Sequence, residues 1–220
     1  LLVLGPAGVD LLFAPGVDEV YPPGFATSIH VVGLSEGMCG DFRPGHFDGM
    51  ATIVTKLFLM TGAAQAFFGE KDWQQLAIIR RMARDLDMPV EIVGVPTVRE
   101  ADGLALSSRN VYLSEDEREA ATALSAALLA GAYAAQGGEP AILAAANEVL
   151  ASRPGIEVQY LELRAPDLGP APEKGDGRLL VAAKLGTTRL LDNVGIAIGT
   201  GFLEESDAER AALVDEVEAQ

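Results

Sequence analysis

Two short phrases in this 220-residue chain hold the residue types that could do chemistry. The first is Phe68-Gly69-Glu70-Lys71-Asp72-Trp73-Gln74-Gln75, in which a small glycine turn leads into an apolar-periodic stretch. If that stretch is a helix, its free N–H groups and the positive end of its dipole meet at the turn. An anion can be held there while Lys71 supplies a full charge. A plainer reading stays open: Asp72 and Gln75 are spaced as an N-cap and its reciprocal partner, with Glu70 and Lys71 as solvated turn residues. The second phrase is Asp102-Gly103-Leu104-Ala105-Leu106-Ser107-Ser108-Arg109-Asn110. The hydroxyls of Ser107 and Ser108 and the Arg109 guanidinium, in one short loop, can grip phosphate oxygens by charge-assisted hydrogen bonds. Ser and Asn are equally ordinary loop formers.

The surrounding pattern says what must position these phrases. After Arg43-Pro44-Gly45-His46, the residues Met50, Ile53, Val54, Leu57 and Met60 recur at helical spacing, and Gly62 is the stop. Residues 64–68 form an apolar run suited to a buried strand, 69–72 the turn, and Leu76, Ile79, Ala83 and Leu86 one face of a helix. Residues 90–95 are the next strand. This alternation predicts an α/β fold with a parallel sheet and a ligand site beyond the carboxyl ends of its strands, where the Gly69 turn lies. Residues 11–13 and 30–32 read as short strands, separated by a Pro- and Gly-rich loop over 14–24.

Beyond Pro96 the character changes. A polar loop runs through Asn110, and Ser114-Glu115-Asp116-Glu117 is a capping box opening an Ala-rich helix to about Ala135. A second helix starts near Pro140, and strands follow over 158–163, 179–185 and 189–198. Helices followed by strands indicate a separate, smaller α+β domain. The expected division is 1–98, 99–202 and an acidic tail over 203–220, where seven carboxylates face the single Arg210.

Composition narrows the function class. A formal charge of -16 excludes a nucleic-acid surface, which needs clustered Lys and Arg. No apolar run approaches the roughly 18 to 20 residues of a membrane helix, and Leu1 opens no basic-then-apolar leader, so the cytoplasm is the default. The single Cys39 forms no internal disulfide and no cysteine zinc site, and reads as a buried or loop thiol. His46 reads as a structural or dimer-contact residue, His30 as a strand residue without an identifiable partner, and Trp73 as packing.

Taken in order, Gly69-Glu70-Lys71-Asp72 with Gln74-Gln75, then Leu106-Ser107-Ser108-Arg109-Asn110, closely resemble the pantothenate synthetase (pantoate-β-alanine ligase) family. Arg43-Pro44-Gly45-His46-Phe47 and Leu191-Asp192-Asn193 match it too. The resemblance spans about residues 8–198 and implies a Rossmann-like sheet of nucleotidyltransferase type, incomplete here, with a C-terminal α+β lid. It also implies ATP-dependent condensation of pantoate with β-alanine through pantoyl adenylate, with Mg2+, a homodimer and no redox cofactor. Carried over by position, Gly69, Glu70, Lys71 and Asp72 line the ATP site, with Lys71 stabilising charge at the transferring phosphate. Val98 lies against the nucleotide, and Leu106, Ser107, Ser108 and Arg109 clasp its phosphates. Gln75 hydrogen-bonds pantoate, and Val54 is either apolar wall for its methyl groups or an ordinary core residue. The metal ligands stay unassigned.

Family members also carry a His-x-Gly-His motif on an N-terminal loop and an upstream glutamine that helps hold pantoate. Neither is present, since His30 and His46 are the only histidines. The expectation is a chain lacking its N-terminal segment, with severely reduced activity and exposed apolar sheet surface. Two alternatives are a non-catalytic fragment and a related adenylyltransferase acting on another substrate.

Overall fold

A computed structural model describes residues 4–200, so the acidic tail expected over 203–220 lies outside the described residues. Two short helices, α1 (Val17–Val20) and α2 (Cys39–Phe42), precede the long α3 (His46–Thr61). β1 (Gln65–Gly69), a 3-10 turn at Glu70–Asp72, α4 (Trp73–Asp85) and β2 (Glu91–Val95) then form a βαβ unit. β1 and β2 pair in parallel, from Gln65↔Glu91 to Gly69↔Val95. α3 stops where expected: Gly62 takes the left-handed conformation (φ 60°), and its N–H bonds back to the Phe58 carbonyl at 2.9 Å. Its apolar face, with Phe47, Met50 and Ala51, packs against Ile78, Ile79 and Met82 of α4.

The second half is α5 (Glu115–Tyr133), α6 (Gly138–Ala151), β3 (Ile156–Arg164), β4 (Gly175–Leu185) and β5 (Thr188–Ile198). The three strands form an antiparallel sheet in chain order. The capping box is present: Ser114 Oγ accepts from the Glu117 N–H at 3.2 Å, and the Ser114 N–H donates to the Glu117 carboxylate at 2.8 Å. Leu124 and Leu128 of α5 and Ile142 of α6 close over Leu179, Val181, Leu185 and Ile198 in one continuous core.

The two helices approach closely at Gly131. A Cβ there would stand 2.6 Å from Leu179 Cδ2 and 3.2 Å from the Ile142 carbonyl oxygen. Overpacking of this kind costs about 1–3 kcal/mol, against a helix-propensity gain for Gly→Ala of about 1 kcal/mol at most. Gly131→Ala is therefore expected to destabilise the chain in urea denaturation. A gain in stability would show that the helix pair and Leu179 yield freely.

Residues 11–13 and 30–32 are not strands. Leu11 is 83% and Val32 81% exposed, and among the described residues no strand lies beside either triplet. An apolar triplet becomes a strand only where a neighbour receives its backbone groups. Here the chain is fixed otherwise: the Ile29 N–H donates to Thr52 Oγ1 at 2.9 Å, and the Ser35 N–H closes a turn on the Val31 carbonyl at 3.1 Å. Among the described residues β1 and β2 pair only with each other, and Phe67 stays 63% exposed. No helix of the described residues is long and apolar enough to cross a membrane.

Candidate active site

The carboxyl end of β1 runs into the Glu70–Asp72 turn, and the second half of the chain holds that turn by its backbone. Asn193 on β5 donates through Nδ2 to the carbonyls of Glu70 (3.0 Å) and Lys71 (2.8 Å). Arg178 on β4 fixes the amide by donating from Nε to Asn193 Oδ1 at 2.6 Å. The same guanidinium lies 3.5 Å from the Trp73 ring centre and reaches Glu70 Oε2 at 3.4 Å. Trp73 is thus packing, as expected, clamped between Arg178 and the Pro166 carbonyl that accepts from its Nε1 at 2.9 Å. Gly69 is in extended conformation (φ -66°), and a Cβ there would meet nothing within 4 Å. Backbone geometry does not demand glycine at this point; its effect is to leave the strand end open.

The N-cap reading of Asp72 fails, because its side chain makes no capping bond to α4. At φ -95°, ψ 60° the backbone is still leaving the 3-10 turn. Asp72 instead lines a small cleft together with Lys71, Gln75, Arg43, His46 and Tyr160. The Lys71 side chain is only 17% exposed, and its ammonium has one carboxylate nearby, Asp72 at 4.0 Å.

The second phrase is no open loop. Arg99 bridges Ala105, and the Leu106 N–H donates to the Val98 carbonyl at 2.8 Å, making a tight hairpin. Arg99 forks onto the buried Asp192 carboxylate at 2.6 and 3.0 Å. Arg118 holds Glu100 at 2.6 Å and Asp102 at 2.8 Å. Its hydrogen bond, aided by one from Asn110, keeps the Glu100 carboxyl below the usual carboxylate range. Ser107 accepts the Arg109 N–H at 3.2 Å and so caps the turn Ser108–Tyr112. Ser107, Asn110 and Lys71 line a second, narrower cleft, so the two phrases meet at Lys71.

Of the expected site residues, the structure gathers Lys71, Asp72 and Gln75 in one cleft and Lys71 with Ser107 in the other. Arg109 donates to the Arg189 carbonyl at 3.2 Å, close enough for its charge to act on His46. Gly69, Glu70, Val98, Leu106 and Ser108 line neither cleft, and Val98 and Leu106 are 61% and 57% exposed. Val54 lies elsewhere, on the side of α3 that packs against the α3–α4 core. Sequence reasoning assigned no role to Arg178, Arg99 or the Asp192-Asn193 pair. The available signal was two polar residues interrupting an otherwise apolar strand. It also missed Gln74, which is buried and bonds the Cys39 N–H at 3.0 Å and the Leu34 carbonyl at 3.0 Å. Cys39 is buried, as expected, with its Sγ 3.2 Å from the Tyr160 hydroxyl. Burial, with Cys39 beside it, holds that phenol well above the ordinary tyrosine range.

The two histidines are perturbed in opposite directions. His30 has partners after all: Asp48 at 2.7 Å and Glu36 at 3.3 Å raise its pKa above 6.5, the Asp48 hydrogen bond contributing most. His46 accepts from Arg43 Nη1 at 2.9 Å, and burial followed by the charges of Arg43 and Arg109 lowers its pKa below 6.5. Proton NMR titration is expected to place the two midpoints on opposite sides of 6.5, with Asp48→Asn bringing His30 down and sparing His46. The stability slopes follow by linkage. Below 6.5 the unfolded chain protonates first at His46, so that term strengthens with rising pH. Above 6.5 the folded chain keeps the His30 proton, so that term is lost as pH climbs through its raised pKa.

Comparison with known proteins places this arrangement. Residues 2–195 match the family model described as pantoate-beta-alanine ligase. The pantothenate synthetase of Mycolicibacterium smegmatis is 56% identical over 199 residues, which are 90% of this chain and 63% of that protein. That of Rhodococcus jostii is 63% identical over 209 residues, 95% of this chain and 67% of that protein. The chain therefore spans about two thirds of the length of these relatives. Among solved structures, pantothenate synthetase from Thermus thermophilus superposes with a TM-score of 0.84 at 51% identity, covering 88% of this chain and 72% of that one. The Francisella tularensis pantoate-beta-alanine ligase, solved with beta-gamma ATP and beta-alanine, gives 0.69 at 29% identity, covering 88% of this chain and 67% of that one. With the family model matching residues 2–195 and these relatives more than half identical over most of the chain, the chain belongs to the pantoate-beta-alanine ligase family.

Proposed function

We propose that this protein contributes the Lys71 half of an ATP-dependent ligase joining pantoate to β-alanine. The observation that carries the reading is Lys71 itself: a lysine whose side chain is 17% exposed, with its one nearby carboxylate at 4.0 Å, shared by the cleft at the end of β1 and the cleft under the Ser107 hairpin. A cation without a close carboxylate partner is free to receive an incoming anion. A nucleotide's phosphates at the junction of the two clefts would supply it, with the open end of β1 at Gly69 leaving room for them.

In the first step a pantoate carboxylate oxygen bonds to the α-phosphorus of ATP and the bond to the bridging oxygen breaks, releasing pyrophosphate and leaving pantoyl adenylate. In the second step the β-alanine amine attacks the acyl carbon, AMP leaves with the bonding pair, and the amine loses a proton to form the amide of pantothenate. Lys71 would stabilise negative charge accumulating at the transferring phosphate, the role in which a positioned cation is most effective. Ser107, Ser108 and Arg109 would hold the phosphates, with Leu106 and Val98 at the nucleotide and Gly69, Glu70 and Asp72 along its other side. Gln75, in the same cleft as Lys71, would donate to pantoate, with Val54 as more distant apolar support.

Among the described residues no group of three His, Cys, Asp or Glu side chains could hold a metal by itself. Mg2+ commonly binds through one or two carboxylates plus substrate phosphates. Asp72, facing the cleft, is the carboxylate placed to contribute, and the ion would offset phosphate charge. The same reading assigns the protein to the cytoplasm as a homodimer and divides it near Val98 into a nucleotide-binding part and a lid.

The test is product formation from ATP, pantoate, β-alanine and Mg2+, with AMP and pantothenate measured by mass spectrometry. This chain is run beside a form carrying the family's His-x-Gly-His segment ahead of Leu1. Equal amounts of both products in at least one form support the ligase. AMP without the amide, or turnover only with another acid, points to a different adenylyltransferase.

A further inference from the structure

We infer that the groove along the exposed arginines of α4 is an intrachain docking surface, and that its occupant is the acidic segment over 203–220. The inference does not depend on the ligase reading.

Three of the chain's sixteen cationic residues fall within five positions of α4: Arg80, Arg81 and Arg84. All three line a groove of about 400 Å³ together with Trp73, Leu34 and Pro166, which is room for several side chains. Arg80 and Arg84 also border Met88, Val90 and Ile92, so basic and apolar surface run together. Local carboxylates answer this charge only in part. Asp85 takes Arg81 at 2.6 Å and Arg84 at 3.7 Å, and Asp167 stands in the groove with its Oδ1 accepting from the Gly169 N–H at 3.0 Å. Arg80 lies 5.9 Å from the Trp73 ring centre and has no carboxylate oxygen within 4.0 Å among the described residues. Glu70, beside it at Gly94, bonds Arg178 at 3.4 Å. The side chains of Arg81 and Arg84 stay 51% and 72% exposed, with N–H groups left for further acceptors. In a chain of formal charge -16 this strip keeps a local excess of positive charge.

The segment over 203–220 carries seven carboxylates against Arg210, with Leu203, Leu213, Val214 and Val217 among them. Its chemistry complements a groove that is both cationic and apolar. The chain also leaves β5 on the groove's side of the sheet. Ile198, the end of β5, and the Arg164 carbonyl both approach within 3.4 Å the point that a Cβ on Gly177 would occupy. Two residues beyond Arg164, Pro166 lines the groove and accepts from Trp73 Nε1 at 2.9 Å. From Ile198 to Glu204 the chain spans up to about 20 Å when extended, so the first carboxylates reach the groove with every described element in place. Exposed ion pairs are individually weak and screened by salt. Attachment compensates for that, because a short tether holds the segment at an effective concentration of about millimolar. A separate acidic peptide lacks this advantage, which selects the chain's own segment.

Trp73 is the only tryptophan and lines the groove, so acrylamide quenching of its fluorescence in the full chain reads the docking. Quenching is expected to rise about twofold between 0.01 M and 1 M salt, as the screening length falls from about 30 Å to about 3 Å. Glu204→Gln, Glu205→Gln, Asp207→Asn and Glu209→Gln together alter no described residue and should give the high-salt value at low salt. Arg81→Glu with Arg84→Glu should do the same. Adding Glu204→Lys, Glu205→Lys and Asp207→Lys to that chain should restore protection, a coupling that a local disturbance of α4 would not show. Protection should not change with chain concentration, since the contact is intramolecular. Quenching that ignores salt, an amide variant like the parent, or a charge-swapped chain that stays unprotected overturns the docking. Protection that grows with chain concentration assigns the groove to a second copy, and protection of the amide variant by inorganic phosphate makes it a small-anion pocket. Either of these results also overturns the inference.

Discussion

Lys71→Ala is expected to lower pantoate-dependent pyrophosphate exchange by about 10²- to 10³-fold, the scale on which removal of one charge-stabilising group acts. The loss should fall mainly on the rate, with the KM for pantoate moving much less, because the ammonium faces charge that grows in the transition state. The structure explains why it should be separable from stability. Lys71 has no carboxylate nearer than Asp72 at 4.0 Å, so its removal breaks no close ion pair and relieves a partly desolvated charge. The turn itself is held by backbone carbonyls bonded to Asn193, which the substitution leaves in place. Urea denaturation of Lys71→Ala should therefore match the parent within about 0.5 kcal/mol. A large stability loss with preserved exchange would make Lys71 a structural residue.

Arg99→Ala is expected to have the opposite signature. Asp192 is 3% exposed and receives both guanidinium nitrogens, so removing Arg99 strands a buried carboxylate. Breaking such a pair costs about 3–5 kcal/mol. Arg99 is 31% exposed, so water reaches part of the stranded group, and the Asn193 N–H at 2.8 Å still bonds it. The lower end, about 3 kcal/mol, is the expected loss. Replacing both partners by apolar residues, Arg99→Met with Asp192→Leu, should recover most of it, since the desolvation cost then vanishes with the charges. Failure of the double variant to recover would mean that the pair's main contribution is anchoring the 99–105 hairpin on β5.

What could be read in advance follows from how local each signal is. The βαβ unit was legible because 3.6-residue periodicity over 76–86 lies between two apolar runs of strand length, and α5 because Ser114 and Glu117 satisfy each other three residues apart. Residues 11–13 and 30–32 were misread because an apolar triplet says nothing about whether a strand lies beside it. The support of the Lys71 turn was invisible for a related reason. Asn193 lies more than 120 residues from the carbonyls it binds, and Arg178 is 108 residues from Glu70. His30 looked unpartnered because Asp48 comes into reach only once the chain has folded back along α3. The chemistry-bearing phrases were legible as phrases; that Lys71 belongs to both clefts required the fold.

Exchange of labelled pyrophosphate into ATP, with and without pantoate and with no β-alanine present, addresses the proposed chemistry at its first bond. It should be run on this chain and on a form bearing the family's His-x-Gly-His segment. The expected result is exchange that requires pantoate in at least one form and disappears with Lys71→Ala. Exchange indifferent to pantoate, or none in either form, would contradict the assignment of Lys71 to pantoate adenylation.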